Sequence, residues 1–181
     1  QKLQSALQSI QAKARVFRAM EQDFEGYQKS VRNVMQESKH GGLKNVHGPV
    51  SRLIRTDDDY SVAIEIALGG AMQNLIVENE DAAKRGIRFL KENHGGRATF
   101  LPITSVKGYE FREKGLEDYE GFVAMADKIV GYDSKFSGII ASLLGRIAIA
   151  EDIDSATIIA KKYGYKFRIV TLDGQVINAG G

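Results

Sequence analysis

The sequence predicts an α+β fold in which two pseudo-repeated subdomains follow an N-terminal coiled-coil helix. Three observations predict it. The first is repetition: Tyr60-Ser61-Val62-Ala63-Ile64-Glu65-Ile66-Ala67-Leu68-Gly69 returns as Phe136-Ser137-Gly138-Ile139-Ile140-Ala141-Ser142-Leu143-Leu144-Gly145, an aromatic, an apolar helical run and a Leu-Gly stop. The second is the shared sequel to the two copies. An apolar strand-like run (74–77 and 147–150) leads to an acidic helix start (Glu80-Asp81-Ala82 and Asp154-Ser155-Ala156) and a second extended run (99–103 and 167–172). The third is a leading stretch without Pro or a Gly pair whose apolar residues keep heptad spacing. Helices and strands interleave in both copies, which sets the class as α+β.

Residues 1–40 read as a coiled-coil arm. Leu3, Leu7, Ile10, Ala14 and Phe17 alternate steps of four and three, the signature of a heptad seam. The seam continues as Met20, Phe24, Tyr27, Val31 and Val34 after two successive steps of three, a stammer that overwinds the coil locally. At ~1.5 Å rise per residue the arm would extend roughly 50 Å. A coiled coil needs a partner helix and nothing after Gly181 supplies one, so the returning helix is expected to lie outside this sequence. The alternative is a long amphipathic helix folded back on the domain. Ser38-Lys39-His40-Gly41-Gly42 ends the segment, because glycine readily adopts the left-handed cap on which helices finish.

The first subdomain spans 44–105. It should hold a short helix near 49–54, a helix over 58–68, a strand over 74–77, a helix over 80–93 and a strand over 99–103. Asp57-Asp58-Asp59 reads as capping and dipole compensation. A metal site there is the sharper alternative, but adjacent side chains at one helix start point apart. Residues 106–118 connect the halves; Gly108, Gly115 and Gly121 fall here and just beyond among charges without periodicity. The second subdomain, 119–181, repeats the scheme and adds a hairpin, with Asp173-Gly174 between two extended runs.

Composition excludes several kinds of chemistry. The chain has no Cys, which removes disulfides, thiolate metal sites and Cys nucleophiles. No phosphate-cradling Gly-x-x-x-x-Gly-Lys-Ser/Thr run exists, and the pairs Gly69-Gly70, Gly95-Gly96 and Gly180-Gly181 lack dinucleotide spacing. His40, His47 and His94 sit beside or near loop glycines without carboxylates at zinc-ligand spacing. No catalytic residue, metal ligand or cofactor is expected. No apolar run is long enough to cross a bilayer. A formal net charge of +2 does not by itself demand a nucleic-acid partner.

Two blocks carry a family resemblance. The first is Gly48-Pro49-Val50-Ser51-Arg52-Leu53-Ile54, Tyr60, Ala63-Ile64-Glu65, Ala67-Leu68-Gly69-Gly70, Gln73-Asn74, Val77-Glu78 and Gly96-Arg97-Ala98-Thr99-Phe100-Leu101-Pro102. The second is Leu143-Leu144-Gly145 with Arg168-Ile169-Val170-Thr171-Leu172-Asp173-Gly174-Gln175-Val176-Ile177-Asn178-Ala179-Gly180-Gly181. Together they resemble the hinge domain of the structural maintenance of chromosomes (SMC) proteins, with the nearer likeness to bacterial chromosome-partition members. Where the family usually has Asn-Pro-Gly-Gly, this chain has Ala179 in place of the proline.

The resemblance implies a two-fold homodimer in which each subunit's first subdomain adds strands to its partner's second. It places the contacts at Gly69, Gly70, Gln73, Asn74 and the strand they begin, at Gly145, Ile147 and the strand they begin, and at Gly180 and Gly181. It also implies a cytoplasmic, nucleoid-associated protein with ATPase heads and accessory segregation subunits outside this sequence, and affinity for DNA. On the helix from Glu80, Ala83, Ile87 and Leu90 should share one face, with Lys84, Arg88, Lys91 and Arg85 away from it and Arg97 nearby. Such a face is commonly just solvated. If it binds DNA, it should do so through phosphates, indifferent to sequence. The competing function is a regulatory α+β dimer module that binds a small molecule.

Overall fold

The structure, a computed structural model, describes residues 2–23 and 26–181, with 14–23 described as backbone alone. Helix α1 (Lys2–Asp23) comes first. The expected arm does not run unbroken to residue 40. Gly26 has φ 88° and Gln28 has φ −59°, ψ 152°, so a new helix, α2 (Lys29–Lys39), starts afterwards. Tyr27, Val31 and Val34, read as seam positions, are buried with Met35, Leu43, Leu75 and Leu90. A three-four spacing marks an apolar helix face but not what covers it. Leu3, Leu7 and Ile10 of α1 are exposed. The stammer falls outside the described side chains, and Phe24 outside the described residues.

After α2 come β1 (Val46–Pro49), α3 (Val50–Leu53), β2 (Ile54–Thr56), α4 (Asp58–Leu68), β3 (Leu75–Val77), α5 (Glu80–Glu92) and β4 (Phe100–Pro102). The second copy runs β5 (Phe122–Met125), β6 (Val130–Tyr132), α6 (Ser137–Leu144), β7 (Ile147–Ala150), α7 (Ile153–Lys162), β8 (Arg168–Thr171) and β9 (Val176–Ile177). The duplication is therefore deeper than the sequence shows, because β1 and β2 recur as β5 and β6. In place of α3 the second copy has a single 3-10 turn, Ala126–Lys128.

The chain forms two compact units. Unit 1 comprises 1–54, 70–107 and 132–139; unit 2 comprises 55–69, 108–131 and 140–181. These do not follow linear order: 55–69, expected in the first subdomain, belongs to unit 2, and 132–139, expected in the second, to unit 1. In unit 1 the sheet order is β1-β3-β4, with β1 antiparallel and β4 parallel to β3. Buried Leu75, Ile76 and Val77 make β3 the core strand. α5 approaches closely through Gly86, where an added Cβ would lie 2.5 Å from the Phe100 ring. Its N-terminus is capped by Asn79, whose Oδ1 accepts from Ala82 N–H at 2.9 Å.

Unit 2 repeats the pattern with one addition, in the order β5-β7-β8-β9. β5 is antiparallel and β8 parallel to β7, and β9 covers the far side of β8. The edge strands β1 and β5 each carry a register shift, between Val46 and Gly48 and between Phe122 and Ala124. Ala148, Ala150, Ala156, Ile159, Phe167 and Ile169 form the core. α7 is capped by Asp152, which accepts from Ser155 N–H at 2.8 Å, and that hydrogen bond lowers the Asp152 pKa. α4 packs in this unit against β8. Asp57 sits at its N-cap without a side-chain capping bond, while Asp58 and Asp59 lie in the first turn, where the helix dipole favours them.

Candidate dimer edges and basic helix face

A strand can accept a partner only on an unpaired side. β3 and β7, the strands expected at the contact, are each paired on both sides. Sequence reasoning chose the wrong strands because it missed β1 and β5, which cover them. The free edges of the two sheets belong to β1, β4, β5 and β9. On β4, Leu75 N–H donates to Thr99 O at 2.8 Å and Ile103 N–H to Val77 O at 2.9 Å. Odd-numbered residues thus face β3, and Phe100 and Pro102 turn their backbone outward. Pro102 has no N–H, and its carbonyl already accepts from Ser105 and Val106. A proline inside a strand marks an edge, a signal the sequence did carry. On β9, Gln175 O accepts from Thr171 N–H at 2.9 Å, so Val176 presents its backbone outward by the two-residue alternation.

The glycines expected at the contact differ in kind. An added Cβ at Gly69, Gly70, Gly180 or Gly181 meets nothing within 4 Å. Gly69, Gly180 and Gly181 have φ of 53°, 88° and 106°, which a side chain would strain, while Gly70 does not. Gly145 is buried, and a Cβ there would lie 2.4 Å from Ala141 O. That gives Gly145 a reason to be glycine inside its own protomer. Gln73 Oε1 accepts from Gln28 N–H at 2.7 Å, and Asn74 O accepts from Val50 N–H at 2.9 Å. Gly70, Gln73, Asn74 and Arg97 nevertheless line one groove of about 480 Å³, with Ala98 and Thr99 leading into β4. Ile147 is buried in β7.

On α5, Lys84, Arg85, Arg88 and Lys91 are all exposed, as is Arg97 beyond it. Ile87 departs from expectation, being 53% exposed. The buried face is Ala82, Ala83, Gly86 and Leu90, centred on a glycine that adds no hydrophobic signal.

The connection between the copies is fastened down in unit 2. Phe111 meets Phe167 edge-on at 5.2 Å, and the Arg146 guanidinium lies 4.9 Å from the Tyr109 ring centroid. Glu113 pairs with Lys166 at 3.7 Å, and Tyr163 Oη donates to Lys114 O at 2.6 Å. Desolvation and then the neighbouring Tyr119 and carboxylates raise the Tyr163 pKa, which keeps that donor protonated. Among the described residues, no cluster of three or more His, Asp or Glu could hold a metal, and no helix is long and apolar enough to cross a membrane.

A duplicated strand-helix unit with open strand edges defines a module able to associate through its sheets. Comparison with known proteins gives it a family. The model described as the SMC proteins Flexible Hinge Domain matches residues 43–160. The chromosome partition protein Smc of Bacillus subtilis is 35% identical over 97% of this chain, and that of Methanocaldococcus jannaschii 36% identical over 84%. The chain spans 15% and 13% of their lengths. Among solved structures, an asymmetric dimer of the Geobacillus stearothermophilus SMC hinge domain is similar at TM-score 0.85 and 38% identity, covering 99% of this chain and 73% of that one. The Pyrococcus furiosus SMC hinge domain is similar at TM-score 0.76 and 25% identity, covering 100% and 88%. The chain belongs to the SMC hinge family, in the branch of the chromosome partition proteins.

Proposed function

We infer that this chain is a dimerisation hinge, joining two copies of a chromosome partition protein so that their coiled-coil arms act as one device on DNA. The observation that carries this reading is the likeness to a hinge solved as a dimer, together with the open edges of β4 and β9. Pairing β4 of one protomer with β9 of another, twice over in a two-fold dimer, would use up both of these edges and close the assembly at two copies. Gly70, Gln73, Asn74 and Arg97 would lie beside the first edge, and Gly180 and Gly181 follow the second; Gly69 serves by shaping the turn into the groove. The function needs no cofactor. ATPase heads and accessory segregation subunits would belong to the rest of the protein, acting at the nucleoid. Lys84, Arg85, Arg88 and Lys91 would bind duplex phosphates without sequence preference. Sedimentation of the chain over a concentration series tests the central claim. A two-fold dimer at tens of micromolar, on the order expected of a standard interface, supports it; a monomer there overturns it.

A further inference from the structure

The stretch from Arg168 to Gly174 carries part of the family resemblance, yet the strand pairing of β8 explains only its alternating apolar residues. Its two ends do something else. Arg168 Nη1 donates to Ala67 O at 3.1 Å and Nη2 to Ile66 O at 3.4 Å. These are last-turn carbonyls of α4, a class of group that a helix leaves without an internal partner. At the other end, an added Cβ on Gly174 would lie 3.1 Å from Val62 and 3.2 Å from Ile66, both on α4. A first-copy helix is thus clasped by a second-copy strand and the turn beyond it.

The fold does not demand an arginine there. Register places Ile169 opposite Ala148 on β7, as Phe100 lies opposite Leu75 on β3, so the position before it, Arg168, corresponds to Thr99 in the first copy. Arg168 Nε is moreover buried without a hydrogen-bond partner. A buried donor left unpaired costs stability, so the guanidinium is a poor choice if packing were all that was needed. Its planar fork does suit two adjacent carbonyls, and its charge suits a helix C-terminus. The next residue after α4 is Gly69, at φ 53° and ψ −130°, where the chain turns toward Gly70.

We propose that Arg168 is a positioning residue: it fixes the end of α4 and so sets the path of Gly69 and Gly70, on which the self-association inferred above rests. The test compares Arg168→Met and Arg168→Lys with the unchanged chain by sedimentation, thermal unfolding and amide exchange. Arg168→Met should weaken self-association roughly tenfold and Arg168→Lys less, with exchange at 69–73 rising above that of the unit 2 core. Self-association and exchange at 69–73 both unchanged in the folded Met variant overturn the proposal, as does an exchange increase spread evenly over unit 2. If Arg168→Met does not fold, Arg168→Lys decides by the same local exchange. An unchanged chain that stays monomeric would sink the dimer reading instead, while exchange at 69–73 would still report on Arg168.

Discussion

At Gly70 an added Cβ would meet no atom within 4 Å, whereas at Gly145 it would press to 2.4 Å from the Ala141 carbonyl oxygen. The two lie after the same Leu-Gly motif in the two copies, or within it. One is surface with room to spare, and the other is the tight end of α6. A repeated motif therefore does not imply a repeated role: the copies share a way of stopping a helix, and only the first leaves an open backbone beside it. The same contrast holds at the sheets, where β9 covers β8 but nothing in its sheet covers β4.

Substitutions can break this contrast. Gly70→Glu should reduce self-association by about two to four orders of magnitude while leaving the subunit folded, because a carboxylate caught unpaired between two backbones costs about 3–5 kcal/mol. Normal association in sedimentation would remove Gly70 from the contact. Gly145→Ala should do the reverse, lowering unfolding free energy by about 1–3 kcal/mol through overpacking. Denaturant unfolding checks it, with association unchanged among the molecules that remain folded. Reversing Lys84 and Arg88 to Glu should lower the salt slope of DNA binding by about 2, near 0.9 for each phosphate no longer neutralised, equally for every duplex sequence. A titration at several salt concentrations that finds the slope intact would leave α5 a solvated face.

The smallest effect separates the two helix caps. Asn79→Ala should cost about 1 kcal/mol at any pH from about 3 to 7, since a neutral amide does not titrate. Asp152→Ala should cost stability only above the ordinary carboxylate range. The Asp152 pKa is lowered in the folded chain, so its contribution is present above the unfolded value and is lost as pH falls through the folded one. Unfolding measured at both ends of that range should show the two variants diverging.

Much of the fold was legible because its longer elements announce themselves. α4 falls on the predicted residues 58–68, and α5, β3, β4, β7 and β8 lie within a residue or two of expectation. What escaped were strands too short to alternate. β1 is Val46-His47-Gly48-Pro49 and β6 is Val130-Gly131-Tyr132, with glycine or proline where a strand signal would be sought. Missing β1, and β5 with it, turned the central strands into false edges. α2 was misassigned to the arm because Tyr27, Val31 and Val34 would show the same spacing against a partner helix or against Leu75 and Leu90. The basic residues of α5 could be read from a helical wheel, but Ile87 could not, since the centre of its buried arc is Gly86.

The exchange of segments between the copies has a consequence for how this chain acquires its shape. Unit 1 lacks residues 132–139 until most of the chain has been made, and unit 2 is built on α4 from the early part together with strands that come last. Neither copy holds a complete core of its own, so a chain divided within 106–118 would leave two pieces that each lack a helical segment. Contacts that span such long stretches slow folding and tie the halves into one cooperative event. A repeated pattern that could have made two beads on a string instead makes units that each draw on both ends of the chain.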